Sequence, residues 1–436
     1  MPYALSWTRR ILAVACFAVL TQLGTQAVAT ESRVDAAKPG SDESRTWPQW
    51  RGPMRNGLAP ATPQWPAKLA PESLTKLWRV DDLGPSYSGP IVTEDRVFST
   101  ETKDKKLEIV RAFDRKTGKE LWSTEWEGAM KVPFFAAKNG SWIRSTPAFD
   151  GDHLYVGGIR DVIVCLDAAT GKTVWSYDCP GEMKTPVPAF GFVCSPLVQG
   201  DHVNVQAGGS LLKLDKKTGE KVWLSLADGG GMNSAFSSPV IETIHGEEQL
   251  LALTRTELCG VRPESGDVLW RRPVKSFRGM NILTPVLYGD AVFTAPYGGE
   301  AQLLTISRDE QNAFSITPAW QEKVQGYMTS PVLIDGHAYF FTRNNRFVCL
   351  SLDEGATKWT SGPTGDKYWS LVAQGDRILA LNDTGKLRLI QATPEDYRVI
   401  AEVQVADDKT WAHLAVAGNE IFIREETGLA AMRWDG

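Results

Sequence analysis

One tryptophan-bearing segment recurs along the chain. It reads FDRKTGKELW at 113–122, LDAATGKTVW at 166–175 and LDKKTGEKVW at 214–223; RPESGDVLW ends at Trp270, and a shortened LDEGATKW ends at Trp359. Taken alone, Gly171-Lys172-Thr173 looks like the tail of a phosphate-binding loop. Such a loop needs a glycine five residues before the Gly of G-K-T, and Leu166 stands there. It also needs a helix afterwards, whereas Thr173–Tyr177 is β-branched and aromatic. A nucleotide site occurs once or twice in a chain, but a structural turn can occur in every repeat. The segment therefore reads as a β-hairpin corner. Asp114, Asp167 and Asp215 start the turn by accepting a backbone N–H two residues on. Gly118, Gly171, Gly219 and Gly266 supply the positive φ, and Trp122, Trp175, Trp223, Trp270 and Trp359 follow as large side chains to bury.

A second element precedes each corner: SGPIV at 88, STPAF at 145, CSPLV at 194, SSPVI at 237, LTPVL at 283 and TSPVL at 329. A Gly/Asp turn and another apolar strand follow each one. Two degenerate copies begin at 369 and 412, which makes eight copies at a period of about 40–50 residues. Each unit reads as four short antiparallel strands. A four-stranded sheet has two open edges and hides its faces only between neighbours, so the repeat predicts an all-β, eight-bladed β-propeller over 74–436. The last copy runs out at Ala430–Trp434. Its missing outer strand is expected from LTKLWRVDD at 74–82, with Leu77–Val80 completing the eighth blade and closing the ring.

Upstream, Arg9-Arg10 precede an apolar run from Ile11 to Leu20, and Ala27-Val28-Ala29 offers an A-x-A cleavage site. Residues 1–29 read as a signal peptide and 30–46 as a flexible polar spacer. The segment 47–73 reads as a lead-in that docks on the propeller through Trp47, Trp50 and Pro53, with Gly52 and Gly57 allowing tight turns. Its Arg51 and Arg55 are read as structural, the alternative being that they are offered to a ligand. Export to the periplasm or the medium follows, with lipid attachment at Cys16 as the alternative. No later stretch is long and apolar enough to span a membrane. The net charge is −5, and loss of Arg9 and Arg10 makes the mature chain more acidic, which argues against nucleic acid. Five cysteines remain beyond the leader, at 165, 179, 194, 259 and 349; none forms a C-x-x-C pair. Cys179 and Cys194 flank one loop and are a candidate disulfide.

In this topology the regular corners lie on one face and the irregular loops on the other. His153, His202 and His337 fall near corners in three different blades, which speaks against a metal site, and no metal ligand set is expected. No nucleophile–base pair emerges, and His413 stands alone. The loops ahead of the innermost strands carry Trp142, Arg144, Phe192, Asn233, Phe236, Arg278, Asn281, Tyr327, Tyr368, Trp369 and Trp411. These residues are expected at the mouth of the central channel. They would form a cup for a planar anionic ligand or a protein anchor; the alternative is a plug that seals the channel.

The unit V-x-x-L-D-x-x-T-G-K-x-x-W, with S-P-x-V ahead of it, resembles the PQQ-like β-propeller repeat. That family includes quinoprotein alcohol dehydrogenases and BamB, the scaffold lipoprotein of the outer-membrane assembly machinery. The lead-in W-P-x-W-R-G-P-x-x-x-G is also similar to one preceding such propellers in secreted bacterial proteins. The resemblance implies the fold and two functions: a non-enzymatic, BamB-like binding protein of the envelope, or an oxidoreductase using PQQ and calcium at the channel mouth. Quinoprotein dehydrogenases place an adjacent Cys-Cys disulfide against the cofactor, and this chain has no adjacent cysteines and no C-x-x-C-H haem motif. A binding role, a monomer, an envelope protein partner or small anionic ligand, and no cofactor are the resulting expectations.

Overall fold

The computed structural model describes residues 45–435 except 129, 135–139 and 230–235. The signal peptide, Cys16, nearly all of the spacer and Asn233 lie outside the described residues. Eight four-stranded antiparallel sheets follow one another along the chain. Blades 1 to 7 take consecutive strands within residues 91–127, 148–178, 197–225, 240–273, 286–322, 332–360 and 369–404. In blade 8, Ala415–Ala417, Glu420–Arg424 and Leu429–Trp434 are completed on the outside by Leu74–Val80. Leu74 lies opposite Trp434, Trp78 opposite Ala431 and Val80 opposite Leu429, so the two ends of the propeller share one sheet. The Arg79 guanidinium pairs there with the fully buried Glu425 carboxylate. The eight-bladed ring expected from the repeat is the fold observed.

The corners show what the repeated glycine and tryptophan do together. Gly118, Gly171, Gly219, Gly266 and Gly355 have φ of 69°, 75°, 74°, 79° and 70°. A Cβ on these glycines would lie 2.7, 2.5, 2.6, 2.9 and 2.6 Å from the rings of Trp78, Trp122, Trp175, Trp223 and Trp320, each on the preceding blade. Glycine is thus required twice, for its backbone angle and for the absence of a side chain. Each indole N–H also donates to a carbonyl of the same corner: Arg115 at 2.7 Å, Ala168 at 3.1 Å, Lys216 at 2.9 Å, Pro263 at 3.0 Å and Leu352 at 2.6 Å. The tryptophan of one blade is therefore clasped by the corner of the next. The Asp side chain accepts the expected N–H two residues on, as from Lys217 to Asp215 at 2.9 Å, and also the next one: Thr117, Thr170 and Thr218 donate their N–H to Asp114, Asp167 and Asp215 at 2.9, 2.8 and 2.8 Å.

A β-bulge aims each clasp. The outermost strand carries an extra residue just before the tryptophan: Leu77, Leu121, Val174, Val222, Leu269, Ala319 and Lys358. Such a bulge turns the strand and rotates the next side chain toward its neighbour. Trp270 is the exception. The corner of blade 5, 309–313, contains no glycine, and the Trp270 indole instead donates to Gln249 of its own blade at 2.7 Å. The cores lie between blades, as in the cluster of Tyr155, Cys165 and Trp175 with Val203, Val205 and Leu214.

Candidate functional site at the channel mouth

The axis of the ring is occupied by the lead-in. Trp47 exchanges backbone hydrogen bonds with Val92 of blade 1 at 2.7 and 3.0 Å, and Pro48 accepts from Phe149 of blade 2 at 2.8 Å. The Arg55 guanidinium donates to the carbonyls of Ser195 and Pro196 at the start of blade 3 (3.0 and 2.8 Å) and of Pro239 at the start of blade 4 (3.0 Å). Trp50 donates to Thr284 ahead of blade 5 at 3.1 Å. Arg51 donates to the Pro331 carbonyl of blade 6, and Gly57 and Ala59 bond Ala373 of blade 7 at 2.8 Å each. The Trp50 ring meets His413 of blade 8 edge-on at 4.9 Å. One short stretch thus touches the innermost strand, or the residues leading into it, in all eight blades. The carbonyls of the repeated Ser-Pro step stand ahead of the strand ladder, and the arginines satisfy them. Gly52 and Gly57, with φ of 87° and 79°, make the turns; a Cβ at Gly52 would lie 2.8 Å from the Trp47 ring.

The residues placed at the mouth by sequence separate into groups. Trp142, Arg144, Tyr368 and Trp411 gather around Tyr87: the Arg144 guanidinium lies 5.2 Å from the Tyr87 ring centre, Tyr87 lies 5.9 Å from Trp411, and Trp411 stacks on Tyr368 at 5.8 Å and 10°. Arg278 and Tyr327 belong to a second group. Arg278 covers Phe277 at 5.3 Å, and Tyr297 bridges Phe277 at 5.3 Å and Tyr327 at 5.0 Å, with Arg343 over Tyr297 at 5.1 Å. Phe236 meets Phe190 at 5.8 Å. The remaining three are internal. Phe192 is packed between blades 2 and 3 against Gly157. Trp369 is fully buried between blades 6 and 7, with the Arg388 guanidinium 4.6 Å from its ring. Asn281 is buried and donates to the Thr254 carbonyl at 2.9 Å. Tyr87, Tyr297, Arg343 and Phe190 were missed; Tyr87 stands one residue ahead of the first S-G-P and could have been found by that position.

A small cleft also opens between blades 2, 3 and 4. Asp161, Pro186, Phe192, Leu226 and Arg255 are among its lining residues. Asp161 holds a φ of 66°, and its carboxylate accepts the Gly208 N–H at 2.6 Å. Burial pushes this carboxyl up to about 6, against the opposing effect of that bond. At the end of blade 1, Glu108 accepts from Trp126 at 2.8 Å and Ile159 at 2.7 Å, yet burial raises it to about 7. Both are carboxyls shifted by desolvation.

The buried His413 is driven down to about 4, by burial first, and its Nδ1 faces the Leu414 carbonyl at 2.9 Å. Among the described residues no group of three or more His, Cys, Asp or Glu side chains could hold a metal ion. Cys179 and Cys194 form no disulfide; both are buried free thiols, and Cys194 Sγ accepts the Gln206 N–H at 3.3 Å instead. Among the described residues no helix is long and apolar enough to cross a membrane.

Comparison with known proteins agrees with this architecture. BamB of Yersinia pestis is 22% identical over 379 residues, covering 82% of this chain and 88% of the relative. The crystal structure of BamB from Moraxella catarrhalis superposes with a TM-score of 0.58 at 14% identity, covering 83% of this chain and 99% of that one. A europium-containing methanol dehydrogenase shares the fold alone, with a TM-score of 0.50 at 10% identity over 88% of this chain and 89% of that one. The family model described as outer membrane protein assembly factor BamB matches residues 106–361, more than half of the sequence, and the chain belongs to that family of PQQ-like β-propellers.

Proposed function

We propose that this chain is a non-enzymatic scaffold of the cell envelope, exported and monomeric, which holds a protein partner of outer-membrane assembly against its channel-mouth face. The observation that carries the reading is the filled axis. With the lead-in in contact with every blade, Trp50, Arg51 and Arg55 are the described side chains that stand at the axis. What it presents is a rim of aromatic and arginine side chains, including Phe277, which is 46% exposed, beside Arg278. Such residues dominate the energetics of protein–protein contacts.

The same features support a function without PQQ or calcium. Trp50, Arg51 and Arg55 stand on the axis, the sequence has no adjacent cysteines, and the described residues offer no metal-ligand group. Calorimetric titration with PQQ and calcium is expected to give only heats of dilution. Saturable binding with alcohol turnover would replace the scaffold with an oxidoreductase.

Site-specific photo-crosslinking in the native envelope tests the surface. A photoreactive residue at position 277 is expected to yield adducts with outer-membrane assembly proteins, and one at Val222 on the outer circumference is not. Phe277→Asp combined with Arg278→Glu should weaken that association at least tenfold, the scale of a single hot spot. Equal adducts from both positions, or none from 277, overturn the assignment of the mouth face.

A further inference from the structure

We propose that the ring axis contains a binding site for a small inorganic anion of the halide class, built on Arg51. Two guanidinium groups, those of Arg51 and Arg55, are enclosed at the axis with 1% and 3% exposure. No carboxylate among the described residues pairs with either. The four buried arginines among the described residues differ in how fully they are used, and Arg115 is paired with the Glu420 carboxylate and donates to the Arg45 and Thr93 carbonyls. Arg424 donates through all three nitrogens, with Ser99 at 2.9 Å, Gly84 at 2.6 Å and Thr100 at 3.0 Å among its acceptors, and Glu101 and Glu425 lie near enough to support its charge. Arg55 likewise uses Nε, Nη1 and Nη2, on Pro239, Gln49, Pro196 and Ser195. Arg51 uses only Nη2, on Asn56 and Pro331; its Nε and Nη1 are buried without an acceptor.

The surroundings of Arg51 add donors and no negative charge. The Tyr368 side chain is close enough to interact electrostatically with Arg51. His413 is held neutral by burial. Bare N–H donors on a desolvated cation next to a second cation are expensive to bury, by several kcal/mol for each uncompensated charge. A water molecule would satisfy the donors and leave the charge; a monatomic anion satisfies both. The enclosure sets the size. Tyr368 and His413 are each 6% exposed, and a Cβ at Gly57 would lie 2.8 Å from Arg51 Nη2, so glycine is what lets the guanidinium sit in this enclosure.

Crystals of the full chain grown from sodium bromide and measured at the bromine absorption edge give the direct test. An anomalous peak in contact with Arg51 Nε or Nη1 is expected. In solution, bromide replacing gluconate at constant ionic strength should raise the unfolding midpoint by about 1–2 °C per tenfold concentration above Kd. Arg51→Met should flatten that response. Tyr368→Phe, which keeps the stacked ring, should shift it to several-fold higher bromide, and this variant together with the crystal peak decides the matter if Arg51→Met does not fold. Density at Arg51 without a bromide peak, or a halide response that survives in Arg51→Met, overturns the assignment.

Discussion

At the circumference each clasp joins one blade to the next by a tryptophan laid on a glycine; at the axis, residues 47–58 join all eight blades at once. The circumferential contact is repeated and local. Losing one leaves the others, and the seam between blades 4 and 5 already lacks it because Trp270 turns into its own blade. The axial contact occurs once, and a fault in it is felt by every blade. A ring of similar units behaves as a sum of neighbour terms only where its contacts are of the first kind; the axial peptide couples units that are not neighbours.

Substitutions on the two sides of this comparison should rank accordingly. Trp47→Ala removes a side chain with 2% exposure that packs on Gly52 and into the core shared by blades 7, 8 and 1, and it should cost about 3–5 kcal/mol in equilibrium unfolding. Gly171→Ala comes next. Its φ of 75° is strained for alanine and its new methyl group would stand 2.5 Å from Trp122, for a cost of about 2–3 kcal/mol. Trp122→Phe keeps most of the packing and loses the 3.1 Å bond to Ala168, so about 1–2 kcal/mol is expected. Hydrogen exchange sharpens the contrast: Trp122→Phe should loosen blades 1 and 2 alone, and Trp47→Ala all eight. If the rim substitution costs as much as the axial one, or spreads as far, the distinction between local and shared contacts fails.

The architecture was legible because it is written many times. A spacing that recurs from Asp114 to Trp359 specifies turn, strand and partner without reference to anything distant, and the strand at 74–80 was identified by its likeness to the others. The mouth was less legible because its residues occur once each. The loop ahead of an innermost strand does not say whether an aromatic side chain turns toward the mouth, as Trp411 does beside Tyr87, or sideways between blades, as Trp369 and Phe192 do. Arg51 and Arg55 were read as structural, but their partners lie 280 and 140–184 residues away in the chain, and nothing in a local pattern reports on carbonyls at that separation.

The strand that closes the ring has a consequence for the order in which the molecule is made. Arg79 meets Glu425, 346 positions later, and Trp47 and Arg55 find their acceptors in blades that do not yet exist when those residues leave the ribosome. The first part of the propeller to be synthesised is therefore the last to be fixed in place. Until Trp434 is added, an apolar head rich in tryptophan waits without its seat, and completion of the circle depends on events after synthesis rather than during it.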